Sequence, residues 1–448
     1  MIDDLLPPMT DTPAQHRDAA QRARAGGDEL AALAHLIAAE ALEALEAPEA
    51  HAPGGAGAQG VARIAMVATG YFMKNDHAAA QRWYELALHL DRAQAGAWQN
   101  LAAIHEKAGR AGLADQCRDR AYGLQRVYVE SSGEPVRRVL LLCAGRSAGN
   151  VPFDLLVPTP RNARIKYALD YAQPDEDTQL PPFDLAFNAI GDADIAAPLQ
   201  ARVAQFARSL PAARPLLNAP ERVAATRRDR LPAQLSGLND VQTAACIRIE
   251  AGESAQPRID AAGLVLPLLV RPVATHGGEG LVRCDTRAEL ITALAAQTGP
   301  FYVTAYRDTR DADGACRKYR MVFVDRKPWP YHLAISAHWM VHYVSAGMEG
   351  VRWKLDEEAR FLADPAAVLG ARGVAALAAI GRRLDLDYAG VDFTLLADGS
   401  VFVFEANATM LVHGERPGGQ LAHKNAYVER IVCAFDAMMS ARIAAAGT

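Results

Sequence analysis

The sequence predicts an all-α N-terminal domain followed by an α/β (α+β) body. Three observations predict it. Residues 25–130 are rich in Ala and Leu, with apolar positions recurring at helical spacing. From Arg138 onward, short apolar runs alternate with helical stretches, as where strands are joined by crossover helices. Near the C-terminus, residues 391–407 read VDFTLLADGSVFVFEAN, two apolar runs flanking Asp398-Gly399, a strong hairpin signal.

Taken in order, residues 1–24 are polar and Pro-containing and are expected to be loosely ordered. A Pro/Gly/Ala-rich stretch, 47–60, reads as a loop inside the helical domain. Tyr71, Ala80, Tyr84 and Ala87 are followed about 34 residues later by Trp98, Leu101, Ala102, His105, Ala114 and Ala121. Small residues at the repeated positions let paired helices approach, and the large ones fill between them. This resembles a tetratricopeptide array of two units, with a degenerate third around residues 30–50, and it implies a docking surface for a peptide or protein partner.

The segment ESSGEP, 130–135, reads as a linker. An α/β layer is expected over 136–220, with apolar runs at 138–143, 153–157 and 183–190 and a helical stretch at 195–210. A charged helix is expected at 220–235. Over 221–448 the strands are placed at 264–270, 301–305 and 319–324, and the helices at 285–296, 366–384 and 424–445.

The chain of 448 residues is long enough for two or three domains with real cores. A net charge of -5 gives no electrostatic case for nucleic acid or an anionic membrane. The six cysteines are scattered without C-x-x-C spacing, as expected of reduced thiols in a cytosolic protein. The acidic start, MIDDLLPPMTD, lacks a signal pattern, and no apolar run approaches the roughly 20 residues of a membrane helix. These features lead to the expectation of a soluble, cytoplasmic protein.

The hairpin carries the chemistry. With Asp398-Gly399 as a two-residue turn, Ala397 pairs with Ser400, Leu395 with Phe402 and Phe393 with Phe404, and Asp392 falls opposite Glu405. Glu405 and Asn407 point the same way, so Asp392, Glu405 and Asn407 converge. Facing carboxylates repel, and a hard divalent cation removes the repulsion. Four further motifs precede or surround it. In LVRPVATHGGEGL, 269–281, a strand delivers Arg271 and a Gly-rich loop follows, whose backbone N–H groups can close over a phosphate. The strand 301–305 runs into a polar connection suited to a hinge. Lys318 and Arg320 share one face of a strand. Residues 331–343, YHLAISAHWMVHY, hold three His, a Trp and two Tyr, a composition suited to a substrate pocket.

The order of these pieces, ending in Gly390-Val391-Asp392 and Glu405-Ala406-Asn407, resembles the ATP-grasp superfamily over 138–413. The resemblance implies an ATP-grasp fold binding ATP and Mg²⁺. It assigns Asp392, Glu405 and Asn407 to the metal. Arg271 stands where the family usually has a phosphate-binding Lys, and Arg230 where a second Lys is usual. Thr275, His276, Gly277, Gly278 and Gly280 would cover the phosphates, with Lys318 nearby. Thr304, Ala305 and Tyr306 would present backbone to adenine. Arg320 would touch the transferred phosphoryl group, with His276, His338 or His342 assisting proton removal. Arg at both Lys positions changes the geometry of phosphate contact while keeping its charge, and Ala408-Thr409-Met410 replaces the usual Pro-Gly. The implied activity is carboxylate–amine ligation through an acyl phosphate, acting on small-molecule or peptide substrates, with a homodimer as the implied assembly. The alternatives are a small-molecule kinase on the same scaffold and a non-catalytic ATP-binding interaction protein.

Overall fold

Alanine sets the geometry of the N-terminal unit, Met1–Arg126. In the computed structural model, which describes residues 6–7, 11–46, 56–146 and 149–447, six helices occupy it. They are α1 (Pro13–Ala25), α2 (Glu29–Glu46), α3 (Ala56–Met73), α4 (His77–Leu90), α5 (Ala95–Lys107) and α6 (Ala111–Leu124). α1 packs on α2, α3 on α4 and α5 on α6. Ala80, Ala87, Ala114 and Ala121 are wholly buried where the helices meet, and Tyr71, Tyr84 and Trp98 fill the spaces between them. Two expectations change. Residues 13–24 are helical, because Thr12 and Gln15 form a capping box that satisfies the first turn and His16 and Ala20 are buried. Of the stretch read as a loop, 56–60 belong to α3, and 47–55 lie outside the described residues, as does the end of the third repeat.

The second unit, Val127–Thr448, is built on three sheets. The first contains β1 (Val127–Glu130), β2 (Arg137–Cys143), β3 (Asn162–Ala168), β4 (Leu185–Asn188) and β5 (Leu216–Leu217), in the order β1-β3-β2-β4-β5. All but β1 run parallel, and β2 is buried almost throughout, as a strand covered on both faces must be. The remaining strands are β6 (Val241–Thr243), β7 (Cys246–Ile249), β8 (Leu268–Pro272), β9 (Val282–Cys284), β10 (Phe301–Ala305), β11 (Cys316–Val324), β12 (Lys327–Ser336), β13 (Tyr388–Leu395) and β14 (Val401–Asn407). They form a small antiparallel sheet, β7-β10-β8-β9, and a large one, β12-β11-β13-β14-β6.

Asn218 ties the first sheet to the large one. It is fully buried at φ 55, accepts from the Asp387 and Tyr388 amides and donates to the Tyr388 carbonyl. Three local expectations are corrected. Residues 153–156 form a helical turn where a strand-like apolar run was read; Leu156 is wholly buried. The helix expected over 220–235 is two helices, Pro220–Ala225 and Leu231–Leu235, with a turn between them. The start of the expected linker, Glu130, is the last residue of β1, held at the sheet edge by Arg164 and Lys166. All six cysteines are unpaired. Among the described residues, no single helix is long and apolar enough to cross a membrane.

Candidate active site

Two single-residue offsets decide what faces the cleft. The turn between β13 and β14 holds three residues rather than two: the Leu396 amide bonds the Ser400 carbonyl at 2.9 Å, and Gly399 takes φ 79. Near the turn Leu395 therefore pairs with Val401 and Phe393 with Val403, so the expected Leu395–Phe402 and Phe393–Phe404 pairs do not form. A bulge at Phe404 then restores the count, and Asp392 stands opposite Glu405. The bulge also turns Phe404 toward the same face as Glu405, where it lines the cleft. A second shift, between β11 and β12, sets Arg320 opposite His332 and leaves Tyr331 as the extra residue. Glu405, Asp392, Arg320 and His332 thus form one row across four strands.

A cavity of about 240 Å³ lies between the small and large sheets. Asp392 is wholly buried at its floor and receives the Arg320 guanidinium in two bonds, 2.6 and 2.9 Å, and the Lys318 ammonium at 2.9 Å. Burial opposes its ionisation, but Arg320 and Lys318 outweigh burial and hold it far below the ordinary carboxylate range. Glu405 is likewise opposed by burial and held low, chiefly by Arg228, which pairs with its carboxylate. Both acids are therefore ionised at neutral pH.

The opposite wall differs. Arg271, at the end of β8, bonds the Thr275 hydroxyl at 3.0 Å and the Thr275 carbonyl. Among the described residues no carboxylate lies within ion-pair distance of it. Burial first, and the neighbouring Arg228 second, push its guanidinium down to about 10. A half-buried cation with neutral partners, beside Arg228, Lys318 and Arg320, makes this end of the cavity a site for an anion.

Of the residues singled out from sequence, Arg271, Gly277, Gly278, Thr304, Ala305, Tyr306, Lys318, Arg320, His342, Asp392 and Glu405 line this cavity. Gly277 and Gly278 adopt positive φ, 63 and 87, in a loop whose Cβ space is taken by His342 and Met340 of the segment after β12. Gly280 does not line the cavity; a Cβ there would meet Pro272 at 2.9 Å. Thr275 positions Arg271, and His276 reaches Asp192 of the first sheet's layer at 3.0 Å. The Ala305 and Tyr306 amides already donate to the Ala245 and Pro267 carbonyls, so those donors are engaged.

Three expectations are displaced. Arg230 is exposed and off the cavity, while Arg228, two residues earlier, lines it. Both lie at the turn between the two short helices, which directs Arg228 and not Arg230 to the cavity. His338 is exposed and outside the cavity, whereas His342 lines it and is kept neutral by burial first, then by Lys318 and Arg320. The Asn407 side-chain oxygen accepts from the Thr409 amide at 3.0 Å and hydroxyl at 3.1 Å, and Asn407 does not line the cavity. Trp339, Val341 and Phe404 line it without having been individually assigned from sequence.

For a divalent cation the donor chemistry fits at two positions: Asp392 and Glu405 are facing, ionised and oxygen-bearing. Asn407 is the next-but-one residue on the same strand, with its oxygen turned to Thr409. Among the described residues no group of three or more His, Cys, Asp or Glu is gathered for a metal. Two carboxylates suit Mg²⁺, which completes its shell with water and substrate phosphate.

No family model matches the chain, and no curated protein matches it in sequence. Solved structures do resemble it. D-alanine–D-alanine ligase from Bacillus anthracis, complexed with ATP, is 14% identical over 68% of this chain and 98% of its own, with a TM-score of 0.39. A RimK domain ATP-grasp protein from Sphaerobacter thermophilus is 15% identical over 65% and 99%, TM-score 0.37. Carboxyaminoimidazole ribonucleotide synthase from Aspergillus clavatus, complexed with ATP, is 14% identical over 66% and 77%, TM-score 0.39. These overlaps are loose.

Proposed function

We propose that the chain is an ATP- and Mg²⁺-dependent carboxylate–amine ligase of the ATP-grasp kind, forming an amide through an acyl phosphate. The observation that carries this reading is Arg271: a half-buried cation with neutral partners, set beside three more cations and facing two ionised carboxylates. Basic side chains outnumber acids at this end of the cavity, and a polyphosphate balances them.

Arg271 and Arg228 bind phosphate oxygens, and the loop at 275–280 covers them with backbone. Asp392 and Glu405 would hold Mg²⁺, which supplies neutralisation of phosphate charge when bound. Lys318 and Arg320, which line the cavity beside Asp392, would present positive charge to the transferred phosphoryl group. A substrate carboxylate oxygen attacks the γ-phosphorus and ADP leaves. The amine nitrogen then attacks the acyl carbon, and phosphate leaves. His342, neutral and within the cavity, takes the proton from the amine nitrogen; His338, lying outside, does not. Arg320 stabilises the acyl phosphate by position and charge. The helical unit, with its paired helices, docks the peptide or protein that bears one substrate.

Calorimetry with Mg-ATP tests the first half: binding is expected, and its absence at millimolar nucleotide would remove the reading. Phosphate release assayed with and without a panel of amines tests the second. Amine-dependent release with an amide product is expected, and release that instead requires a hydroxyl acceptor would replace ligation by phosphoryl transfer.

A further inference from the structure

The Gly-rich loop is anchored from outside the sheet that carries it. Asp192, at the end of the first layer's β4 connection, is 7% exposed and divides its two oxygens between separate tasks. Oδ1 accepts from the Asp194 and Ile195 amides at 2.8 and 3.0 Å and so starts the turn that follows. Oδ2 meets the His276 Nε2 at 3.0 Å. Two residues on, the Asp194 carboxylate accepts from the Tyr302 hydroxyl and from Arg248, both at 2.6 Å. Asp192 thus reaches the loop while Asp194 reaches β7 and β10 of the small sheet.

From this division of oxygens we infer that Asp192 is a positioning residue for nucleotide binding: through His276 it latches the loop at 275–280 over the phosphates. The inference rests on the nucleotide reading above, and it assigns the first α/β layer a part in that site. Gly277 and Gly278 carry no side chain that could fix the loop, and their positive φ gives the backbone freedom that the latch removes.

The latch is charge-dependent. Asp192, despite burial, is held below the ordinary carboxylate range chiefly by His276, and His276 is held above the ordinary imidazole range chiefly by Asp192. The other charged groups acting on His276 are Glu405, which supports its protonation, and Arg228, which opposes it; His342 lies against Gly277, and Asp194 stands two residues from Asp192. A raised imidazole contributes fully below its ordinary range and loses its contribution as pH rises through its folded value. The latch therefore opens on the alkaline side.

Asp192→Asn separates the two tasks, because the amide oxygen keeps the cap while the latch oxygen becomes a donor; His276→Gln breaks the same contact from the other side. In ligand-free protein, amide hydrogen exchange over 277–281 is expected to quicken in both variants, by roughly two- to fivefold, the range open to a half-exposed ion pair. The same change is expected in the wild type between about pH 6 and about pH 9. In the presence of Mg-ATP, the KM for nucleotide is expected to rise by about the same factor in both variants, with kcat nearly unchanged in Asp192→Asn, and the pH dependence of KM to flatten in both. Wild-type exchange, KM and pH profile in both variants would overturn the inference. Altered exchange in a protein that fails to bind Mg-ATP would instead retain the latch and remove the nucleotide reading.

Discussion

The floor and the opposite wall of the cavity handle charge in contrasting ways. On the floor, Asp392 pairs with Lys318 and Arg320, and Glu405 pairs with Arg228, so every charged group there has an opposite partner within the protein. On the wall, Arg271 leans on the neutral Thr275, and the loop beyond it is held by one half-exposed ion pair. Each floor charge thus has a partner inside the protein, while Arg271 on the wall leaves a charge to be answered. The difference teaches that the floor belongs to folding as much as to chemistry, and the wall mainly to binding.

The sharpest way to break that contrast is at Asp392. Replacing it by Asn leaves Arg320 and Lys318 without their buried counter-charge, and a loss of about 3–5 kcal/mol in unfolding free energy is expected by urea denaturation. The sign with pH follows from its depressed folded value. Its contribution is complete above the ordinary Asp range and disappears as pH falls through the folded value, so acid destabilisation should be shallower in Asp392→Asn than in the wild type. A loss below about 1 kcal/mol would mean that the floor is not the electrostatic keystone described.

Arg271→Ala should do the reverse. Unfolding free energy is expected to stay within about 1 kcal/mol of the wild type, because no internal ion pair is lost. Mg-ATP affinity is expected to fall roughly tenfold to a hundredfold, the scale of a charge-assisted phosphate contact. Unchanged affinity by calorimetry would place the anion elsewhere.

Glu405→Gln sits between the two. It should abolish ATP turnover while circular dichroism shows an intact fold; persistent turnover would take Glu405 out of the metal site. The smallest effect is expected at Phe404. As the extra residue of a bulge, 38% exposed, it packs little against the core. Phe404→Ala should cost less than about 1 kcal/mol in stability yet weaken nucleotide binding severalfold. A larger stability loss than at Asp392 would invert the comparison.

Much of this site was legible one residue at a time. Strand β10 falls at its expected position, 301–305, because a buried run of Phe, Tyr and Val has one comfortable conformation. Lys318 and Arg320 share a face because strand period is fixed. The facing of Asp392 and Glu405 was read through a two-residue turn that the protein does not use, and it holds only because the bulge at Phe404 cancels the extra turn residue. Arg230 stands at the second cation position that the resemblance implies, but the turn between the helices Pro220–Ala225 and Leu231–Leu235 brings Arg228 to the cavity instead. Asp192 left no local signal, since its partner His276 lies far along the chain.

By itself the sequence determined what short-range sterics and hydrophobic period decide: helices where alanine and leucine recur, strands where branched and aromatic residues cluster, and which side chains share a face within one strand. The tertiary structure alone decided which acids are paired, which cation lacks a counter-charge, and which histidine enters the cavity. Those outcomes depend on offsets between strands and on desolvation by distant segments, and neither is encoded in any one stretch of chain.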